Sequence, residues 1–329
     1  MIAKKNIFNI FVIFLLFHLI VWTLIPTLLN LNLPLDTIEA LAWGSNLEWG
    51  FNKHPPLSAL FVEFIYLIFG RQDWAYYLLS QICVVVAFIY VWKFTEEIFE
   101  KKIYSLISLL LLEGIFFYNF TTPEFNVNIC QLPFWAMTVY YFWKSLNTNK
   151  NFYWLLFGIF SAIGFLSKYI FIYLLISIFI YFLFNLKKNK KLILKYSTSI
   201  LVSLLILTPH FYWLIENNFI TIFYGFERTG SVNSSLIDHI LNPTIFVIKQ
   251  IVILFPFFLM IFILSKTFKI KINLKNKKTF FLIIINVVPI ILIVMTAIFT
   301  GAKIRTMWMT PFYLFVGVLF VHIFEKKIL

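Results

Sequence analysis

Residues 7–29 read IFNIFVIFLLFHLIVWTLIPTLL, a run without a single charged side chain. A bilayer core about 30 Å thick is crossed by roughly 20 apolar residues of helix, so this run predicts a transmembrane helix. Its bulky side chains and the lack of a small-residue cleavage site favour an uncleaved anchor over a signal peptide. Similar runs recur along the whole chain, which is 61% hydrophobic and only 12% charged. The sequence therefore predicts an all-α, polytopic membrane protein.

The net charge of +13 comes from lysines that gather in short connections between the apolar runs. This distribution argues against a nucleic-acid-binding surface and instead indicates which ends of the helices face the cytoplasm. The basic clusters predicted to be cytoplasmic are Lys4-Lys5, Lys101-Lys102, Lys144 to Lys150, Lys187 to Lys195, Lys266 to Lys278 and Lys326-Lys327.

One of the apolar runs must stay on one side of the membrane if all basic clusters are to face the cytoplasm. The runs fall at 7–29, 57–69, 75–95, 103–120, 127–145, 152–167, 169–186, 192–213, 246–265, 279–299 and 307–324. The run 57–69 is the exception that we expect, because 13 residues of helix span only about 20 Å. Its apolar residues form one stripe, which is typical of a helix lying in the membrane interface. The prediction is about ten transmembrane helices with both termini in the cytoplasm, plus interfacial helices in the first periplasmic loop.

With this topology, acids and bases return repeatedly to the outer face of one domain covering residues 1–329. The two longest outer connections are a first periplasmic loop at about 30–74 and a second at about 214–245. Outer connections all along the chain carry ionisable side chains, among them Asp36, Lys53 with His54, Glu124, Lys168 and Arg305. Such a set suits transfer from a phosphate-bearing lipid, in which cations hold the phosphate and a carboxylate deprotonates the acceptor.

Each of these side chains also has a purely structural interpretation. Asp36 and Glu39 fit the capping box D-x-x-E at the start of a helix that would run through residue 49. Lys53 and His54 could contact lipid head groups. Lys168 could extend along the apolar surface to reach the interface.

Two further positions leave similar alternatives open. Thr122-Pro123-Glu124 could be a turn, with Pro123 starting the next helix. Glu113 lies within an apolar run, where a carboxylate is costly unless it is paired, hydrated or protonated. We assign Glu113 no role from the sequence.

The charged stretches also match, in order, the motifs of a known family. They read DTIEALAW at 36–43, GFNKHPPLSA at 50–59, TTPEFN at 121–126 and GFLSKY at 164–169, followed by Pro209, Trp213 and Arg228 and then by Lys303, Trp308, Pro311 and Tyr313. The chain resembles the polyprenyl-phosphate-sugar-dependent glycosyltransferases of the C superfamily. It is similar in particular to bacterial relatives of protein O-mannosyltransferases and of the aminoarabinose lipid A transferase. The motifs depart from the family at Met307, where histidine is frequent, and at Phe219, where tryptophan is common.

The resemblance implies a role for each matching residue. Asp36 would be the catalytic base and Glu39 would support it. Residues expected to bind the phosphate or sugar of the donor are Lys53, His54, Glu124, Lys168, Arg228, Lys303 and Arg305. Asp36 and Glu124 would also be the ligands of a divalent cation, if the protein uses one. No other cofactor is implied.

The implied activity is that of an inverting glycosyltransferase in the bacterial inner membrane, with its active site on the periplasmic face. It would move a sugar from polyprenyl (undecaprenyl) phosphate to an envelope acceptor, which could be lipid A, a glycan or a protein. Membrane lipids would be partners, and nucleic acids would not. Two alternatives stay open: a transporter or flippase of a polyprenyl-linked lipid, and a catalytically inactive lipid-binding relative.

Overall fold

The computed structural model of the protein describes residues 4–148, 150–186, 190–265, 272–325 and 328. Its α-helices are α1 (Lys4–Leu29), α2 (Leu35–Gly44), α3 (Leu57–Phe69), α4 (Asp73–Ile98), α5 (Lys102–Leu110), α6 (Val127–Cys130), α7 (Leu132–Thr148), α8 (Asn151–Ser167), α9 (Ile172–Leu186), α10 (Leu192–Glu216), α11 (Ile220–Thr229), α12 (Asp238–Ile253), α13 (Phe255–Leu264), α14 (Lys277–Thr300) and α15 (Val316–Phe324). Short 3-10 segments lie at Leu111–Gly114, Phe116–Tyr118, Tyr169–Phe171, Ser231–Asn233 and Thr306–Tyr313. Within the described ranges no strand is formed, which confirms the all-α class.

The polytopic architecture is also confirmed. Five segments are long and apolar enough to cross a membrane, namely Asn6–Leu29, Asp73–Ile98, Tyr169–Leu186, Leu192–Glu216 and Lys277–Thr300. Two bent pairs raise this number to seven among the described helices. They are α12 with α13, bent by 46°, and Thr306–Tyr313 with α15, bent by 50°.

Length and composition thus establish fewer spans than the roughly ten predicted. The difference lies at the runs 103–120, 127–145 and 152–167. The first is interrupted after nine residues of α5 by 3-10 turns at Gly114, where α13 packs so closely that an added Cβ would lie 3.0 Å from the Phe257 Cα. The other two form α7 and α8, with 17 residues each.

The long helices alternate in direction and so define two ends of the bundle. At one end Lys102 pairs with Glu96 at 3.1 Å, and Lys278 donates to the Ile98 carbonyl at 2.7 Å. Lys144 pairs with Glu97 at the same end, which therefore collects lysines from three of the predicted cytoplasmic clusters. Other parts of the predicted clusters lie outside what the structure describes, namely Lys187-Lys188, Lys266 to Lys271, Lys326-Lys327 and the side chains of Lys4 and Lys5. We call the other end, which holds α2, α3 and α11, the loop end.

The predicted helix at 57–69 exists with those bounds as α3. Two prolines precede it, and Gly70 ends it with φ +67 and a bond from its N–H to the Tyr66 carbonyl at 2.7 Å. It packs against α2, α4, α6 and α8 and leaves Phe64 and Leu67 exposed. Its place in the membrane interface stays a prediction.

The predicted capping box at Asp36 and Glu39 is wrong. Pro34 holds the N-cap position, without a side-chain cap, so Asp36 falls inside the first turn of α2. The Glu124 carboxylate, from a distant turn, accepts the backbone N–H of Asp36 instead. The helix ends at Gly44 rather than at residue 49. At Gly44, α2 meets α3 so closely that an added Cβ would lie 2.6 Å from the Ala59 carbonyl oxygen.

Residues 121–124 form a turn, as expected, but Pro123 does not start the following helix. Helix α6 begins at Val127, because the Asn126 side chain accepts from the N–H groups of Asn128 and Ile129 and acts as its N-cap. This cap holds Asn128 at the loop end of the bundle.

Candidate active site

A cavity of about 400 Å³ opens at the loop end, and we call it the main cavity. Its walls come from α2, the loop 45–56, the turn between α8 and α9, helices α9, α11 and α14, and the segment 301–308. The sequence-predicted site residues that line it are Asp36, Glu39, Lys53, His54, Lys168, Arg228 and Arg305. Glu124 and Lys303 lie outside it. The topology therefore brings together side chains that are up to 269 positions apart in the sequence.

Asp36 and Glu39 are three residues apart on α2 and so lie on the same face of the helix. Burial raises the pKa of Asp36, and the neighbouring Glu39 carboxylate adds to this effect. The cations Lys168, Lys53 and Arg305 act in the opposite direction without cancelling it. The Asp36 carboxylate is thus a stronger base than an ordinary aspartate, in a position surrounded by positive charge.

Glu39 forms an ion pair with Lys53 across the cavity wall. The hydrogen bond that Lys53 donates to Glu39 is the main cause that raises the pKa of Lys53, so this side chain remains charged at physiological pH. The ammonium also lies 5.9 Å from the ring centroids of Trp43 and Tyr224. Lys53 is therefore a fixed cation at the rim of the cavity.

His54 differs from its neighbour in charge. Burial lowers the pKa of His54 to about 3, with help from the nearby ammonium groups of Lys168 and Lys53. Its ring packs edge-on against Trp43 at 6.0 Å. His54 can therefore offer a hydrogen bond to a phosphate but supplies no positive charge near neutral pH.

Lys168 does not extend to the surface, so the interpretation as a snorkelling residue is wrong. The side chain is buried, with 7% of its surface exposed, because the backbone turns inward where α8 ends and Lys168 takes an extended conformation. Its ammonium donates to the Asn128 Oδ1 at 2.6 Å and lies 4.6 Å from the ring centroid of Trp308. None of the ion pairs between described residues includes Lys168.

The environment of Lys168 disfavours its charged form. Burial lowers the pKa of Lys168 well below its ordinary value, and Arg305 contributes in the same direction. The Asp36 carboxylate opposes this shift but does not reverse it. A buried ammonium with one amide acceptor and no ion-pair partner is a site at which an anion would be stabilised.

The two arginines and Lys303 occupy different positions. Arg228, in the last turn of α11, and Arg305 both line the main cavity with exposed side chains. Lys303 does not contact the cavity, because its side chain is exposed elsewhere. Its backbone N–H donates to the Thr229 carbonyl at 2.8 Å, which ties the segment 301–308 to the end of α11.

Beyond its charged end, the main cavity is walled by uncharged side chains of membrane-spanning helices. Ile172 and Tyr173 come from α9, and Ile293 and Thr296 come from α14. The Tyr173 hydroxyl donates to the Thr296 hydroxyl at 2.8 Å, so these two polar groups satisfy each other. The cavity thus combines a charged end with an apolar end, the shape expected for a lipid with an anionic head.

Sequence reasoning missed His210, which connects α10 to the cavity. Its Nδ1 lies 2.6 Å from the Trp49 carbonyl oxygen, and its Nε2 lies 2.8 Å from the hydroxyl of Tyr169, a cavity-lining residue. Because a carbonyl can only accept, Nδ1 carries the proton and the Tyr169 hydroxyl donates to Nε2. The sequence signal for this link was the position of His210 between the motif residues Pro209 and Trp213, although the family motif leaves the residues between them unspecified.

The two carboxylates expected to hold a divalent cation, Asp36 and Glu124, do not by themselves form a Ca²⁺ site. The Glu124 carboxylate already accepts the Asp36 N–H and hydrogen-bonds with the Asn126 side chain. Across the described ranges, no three His, Cys, Asp or Glu side chains come close enough to hold a metal. Ca²⁺ takes six to eight oxygen ligands, and two carboxylates, one of them engaged, leave most of these positions unfilled; Mg²⁺ usually keeps several waters and is held by one or two carboxylates and substrate phosphates. The reaction below is written with the protein's own residues alone.

The fold and the cavity together define a multi-pass helical membrane protein with a cationic, amphipathic site at one end of its bundle. Residues 53–213 match the family model described as dolichyl-phosphate-mannose-protein mannosyltransferase. The match covers just under half of the 329 residues and supports a polyprenyl-phosphate-sugar glycosyltransferase, without specifying the subtype. It includes Lys53, His54, Glu124 and Lys168 and begins after Asp36. No curated protein and no solved structure matches the chain.

Proposed function

We propose that the protein is an inverting glycosyltransferase that moves a sugar from undecaprenyl phosphate to an acceptor of the bacterial envelope. The observation that carries this proposal is the main cavity, in which a basic carboxylate, Asp36, lies among cations that outnumber the carboxylates. The apolar end of the same cavity suits a polyprenyl chain. The family match to residues 53–213 supports the same class of donor.

The reaction would be a single displacement at the anomeric carbon. The Asp36 carboxylate takes the proton of the acceptor hydroxyl or amine as its oxygen or nitrogen forms a bond to that carbon. The bond between the anomeric carbon and the phosphate oxygen breaks, and its electron pair leaves with undecaprenyl phosphate. The proton then passes from Asp36 to water. The raised pKa of Asp36 assists the step, because a base works best when its pKa approaches the ambient pH.

The leaving phosphate gains negative charge during this step, so it needs nearby cations more than it needs a proton donor. Lys168 would hold the phosphate from the buried side, and Arg305 would hold it from the exposed side of the cavity. Lys53 would exchange its partner Glu39 for the phosphate when the donor binds, which frees the Glu39 carboxylate next to Asp36. Arg228 is positioned to contact the sugar or the phosphate.

We place the active site on the periplasmic face of the inner membrane. Lysines from three basic clusters lie at the end opposite the main cavity, and basic clusters mark the cytoplasmic end of membrane helices. Donors of this class carry their sugar at the membrane surface, where the loop end would lie.

Transport of a polyprenyl-linked lipid is the second candidate function. It is favoured by one observation, a hydrogen bond of 3.0 Å between His18 in α1 and Glu113 at the interruption of the run 103–120. Ionisable groups at membrane depth are typical of transport pathways. The residues lining the main cavity, however, place most of their charges at the loop end.

The two functions can be separated with the purified protein in lipid nanodiscs and in proteoliposomes. A panel of undecaprenyl-phosphate sugars is supplied together with an envelope extract, and free undecaprenyl phosphate is quantified. We expect its release to depend on both the sugar donor and the extract. Movement of intact donor across proteoliposomes without release would support the transporter, and binding of undecaprenyl phosphate without either activity would support the inactive relative.

A further inference from the structure

A second cavity of about 450 Å³ lies beside the main cavity. From the end of α1 it is lined by Trp22, Ile25, Pro26 and Leu29; the segment 30–34 and the turn 120–124 form the other walls. Its polar lining groups are few, namely Asn30, Thr121 and Glu124. Neither the family match nor the donor chemistry accounts for this cavity.

The depth of the second cavity indicates the kind of molecule that it takes. Its α1 residues belong to the membrane-spanning segment Asn6–Leu29, and Trp22 lies about 10 Å along the helix from Leu29. Leu29 and Phe120 expose 74% and 68% of their surfaces, so the mouth is bordered by exposed apolar groups. A peptide entering there could not satisfy its backbone N–H and C=O groups with water, whereas a lipid tail has none to satisfy.

Glu124 connects the second cavity to the catalytic base. It lines this cavity, and its carboxylate accepts the backbone N–H of Asp36. Burial raises the pKa of Glu124, and the Asp36 carboxylate adds to the effect. The start of α2 therefore lies between the two cavities. The Asp36 side chain lines the main cavity, and Glu124, which bonds to the Asp36 backbone, lines the second cavity.

An inverting displacement requires the nucleophile and the leaving phosphate on opposite sides of the anomeric carbon. With the phosphate among the cations of the main cavity, an acceptor reaching Asp36 past Glu124 would arrive from a different side. We infer that the second cavity binds the acceptor, and that this acceptor is a lipid whose head group carries a hydroxyl or an amine. Glu124 would accept a hydrogen bond from that group and direct it toward Asp36. This inference rests on the proposed transferase function.

The test uses two double variants of the full chain in nanodiscs. Ile25→Trp with Leu29→Trp adds bulk at two exposed positions that line the second cavity. Leu24→Trp with Leu28→Trp adds the same bulk at two exposed positions of α1 that do not line it. Lipid retention is measured by native mass spectrometry after incubation with vesicles that contain lipid A, phosphatidylglycerol and phosphatidylethanolamine. Transfer is measured with these lipids and with a Ser/Thr-containing peptide as acceptors, and undecaprenyl phosphate binding is measured separately.

We expect the cavity-filling variant to lose the retained lipid and to raise the acceptor KM at least tenfold, while undecaprenyl phosphate binds within twofold of the native affinity. The control variant should match the native protein in all three measurements. Equal lipid retention in both variants, or transfer to the peptide and not to lipid, would overturn the inference. If the native protein transfers sugar to nothing, the proposed function fails, and the lipid-retention comparison still decides whether the cavity is a lipid site.

Discussion

Replacement of Lys168 should weaken phosphate binding more than replacement of a cation outside the cavity. The Lys168→Met variant keeps most of the side-chain volume but removes the ammonium. A hydrogen bond between charged partners contributes about 1.5–3 kcal/mol. We therefore expect undecaprenyl phosphate to bind roughly 10- to 150-fold more weakly. Lys303→Met is the matched control, because Lys303 is an exposed cation of the adjoining segment that does not line the main cavity.

The pH dependence of binding provides a second part of the same prediction. Phosphate binds the protonated form of Lys168, and the empty site lowers the pKa of that group. The affinity for phosphate then has its full value below the lowered pKa of Lys168. It falls as the pH rises through that pKa, by at most about tenfold per pH unit. Above pH 7 the neighbouring His54 ring stays neutral, because its pKa is lowered to about 3. Lys168→Arg should bind with a shallower slope, because arginine remains protonated.

The assay is equilibrium titration of undecaprenyl phosphate into nanodiscs between pH 7 and 10, with thermal unfolding as the check on folding. The Lys168→Met variant should unfold at no lower temperature than the native protein, because it removes a buried charge that lacks an ion-pair partner. Binding within twofold of native for Lys168→Met, or the native pH slope in Lys168→Arg, would refute the role given to this ammonium.

Three further predictions concern the loop end. Glu39→Gln releases Lys53 from a partly exposed ion pair, so the free energy of unfolding should change by less than about 1 kcal/mol. Undecaprenyl phosphate should bind a few-fold more tightly in the same titration, and weaker binding would contradict the exchange of Glu39 for phosphate at Lys53. His54→Gln should leave the pH dependence of binding between pH 5 and 8 unaltered, because a pKa of about 3 keeps the native ring neutral throughout; a changed slope would show that it titrates there. Gly50→Ala should lower the unfolding temperature, since the added Cβ would lie 2.3 Å from a tryptophan ring, whereas Gly225→Ala, with open space at its Cβ, should not; equal temperatures would argue against this packing.

Elements with strong local signals could be predicted from the sequence. The helix at 57–69 is bounded by Pro-Pro and Gly70, and the structure reproduces both bounds. The convergence of Asp36, Lys168 and Arg305 could also be predicted, because alternate ends of successive membrane helices return to the same side.

The features that the sequence did not reveal depend on contacts between distant segments. The Asp36 backbone N–H bonds to the Glu124 carboxylate, 88 positions further along the chain, so the local pattern D-x-x-E suggested an incorrect partner. The burial of Lys168 depends on Asn128 and Trp308, and neither contact is encoded by the apolar runs on either side of it. Glu124 was assigned to the donor side by motif order, whereas its place beside the second cavity follows from the packing of α1 against the turn 120–124.

The most direct test of the proposed mechanism compares the native protein with Asp36→Asn in nanodiscs that contain an accepted undecaprenyl-phosphate sugar and an envelope extract. The amide has nearly the same shape as the carboxylate but cannot take the acceptor proton. We expect release of undecaprenyl phosphate to fall at least about 100-fold in the variant, the scale of a lost general base, while binding of undecaprenyl phosphate persists. Equal release by both proteins would contradict the assignment of Asp36 as the base.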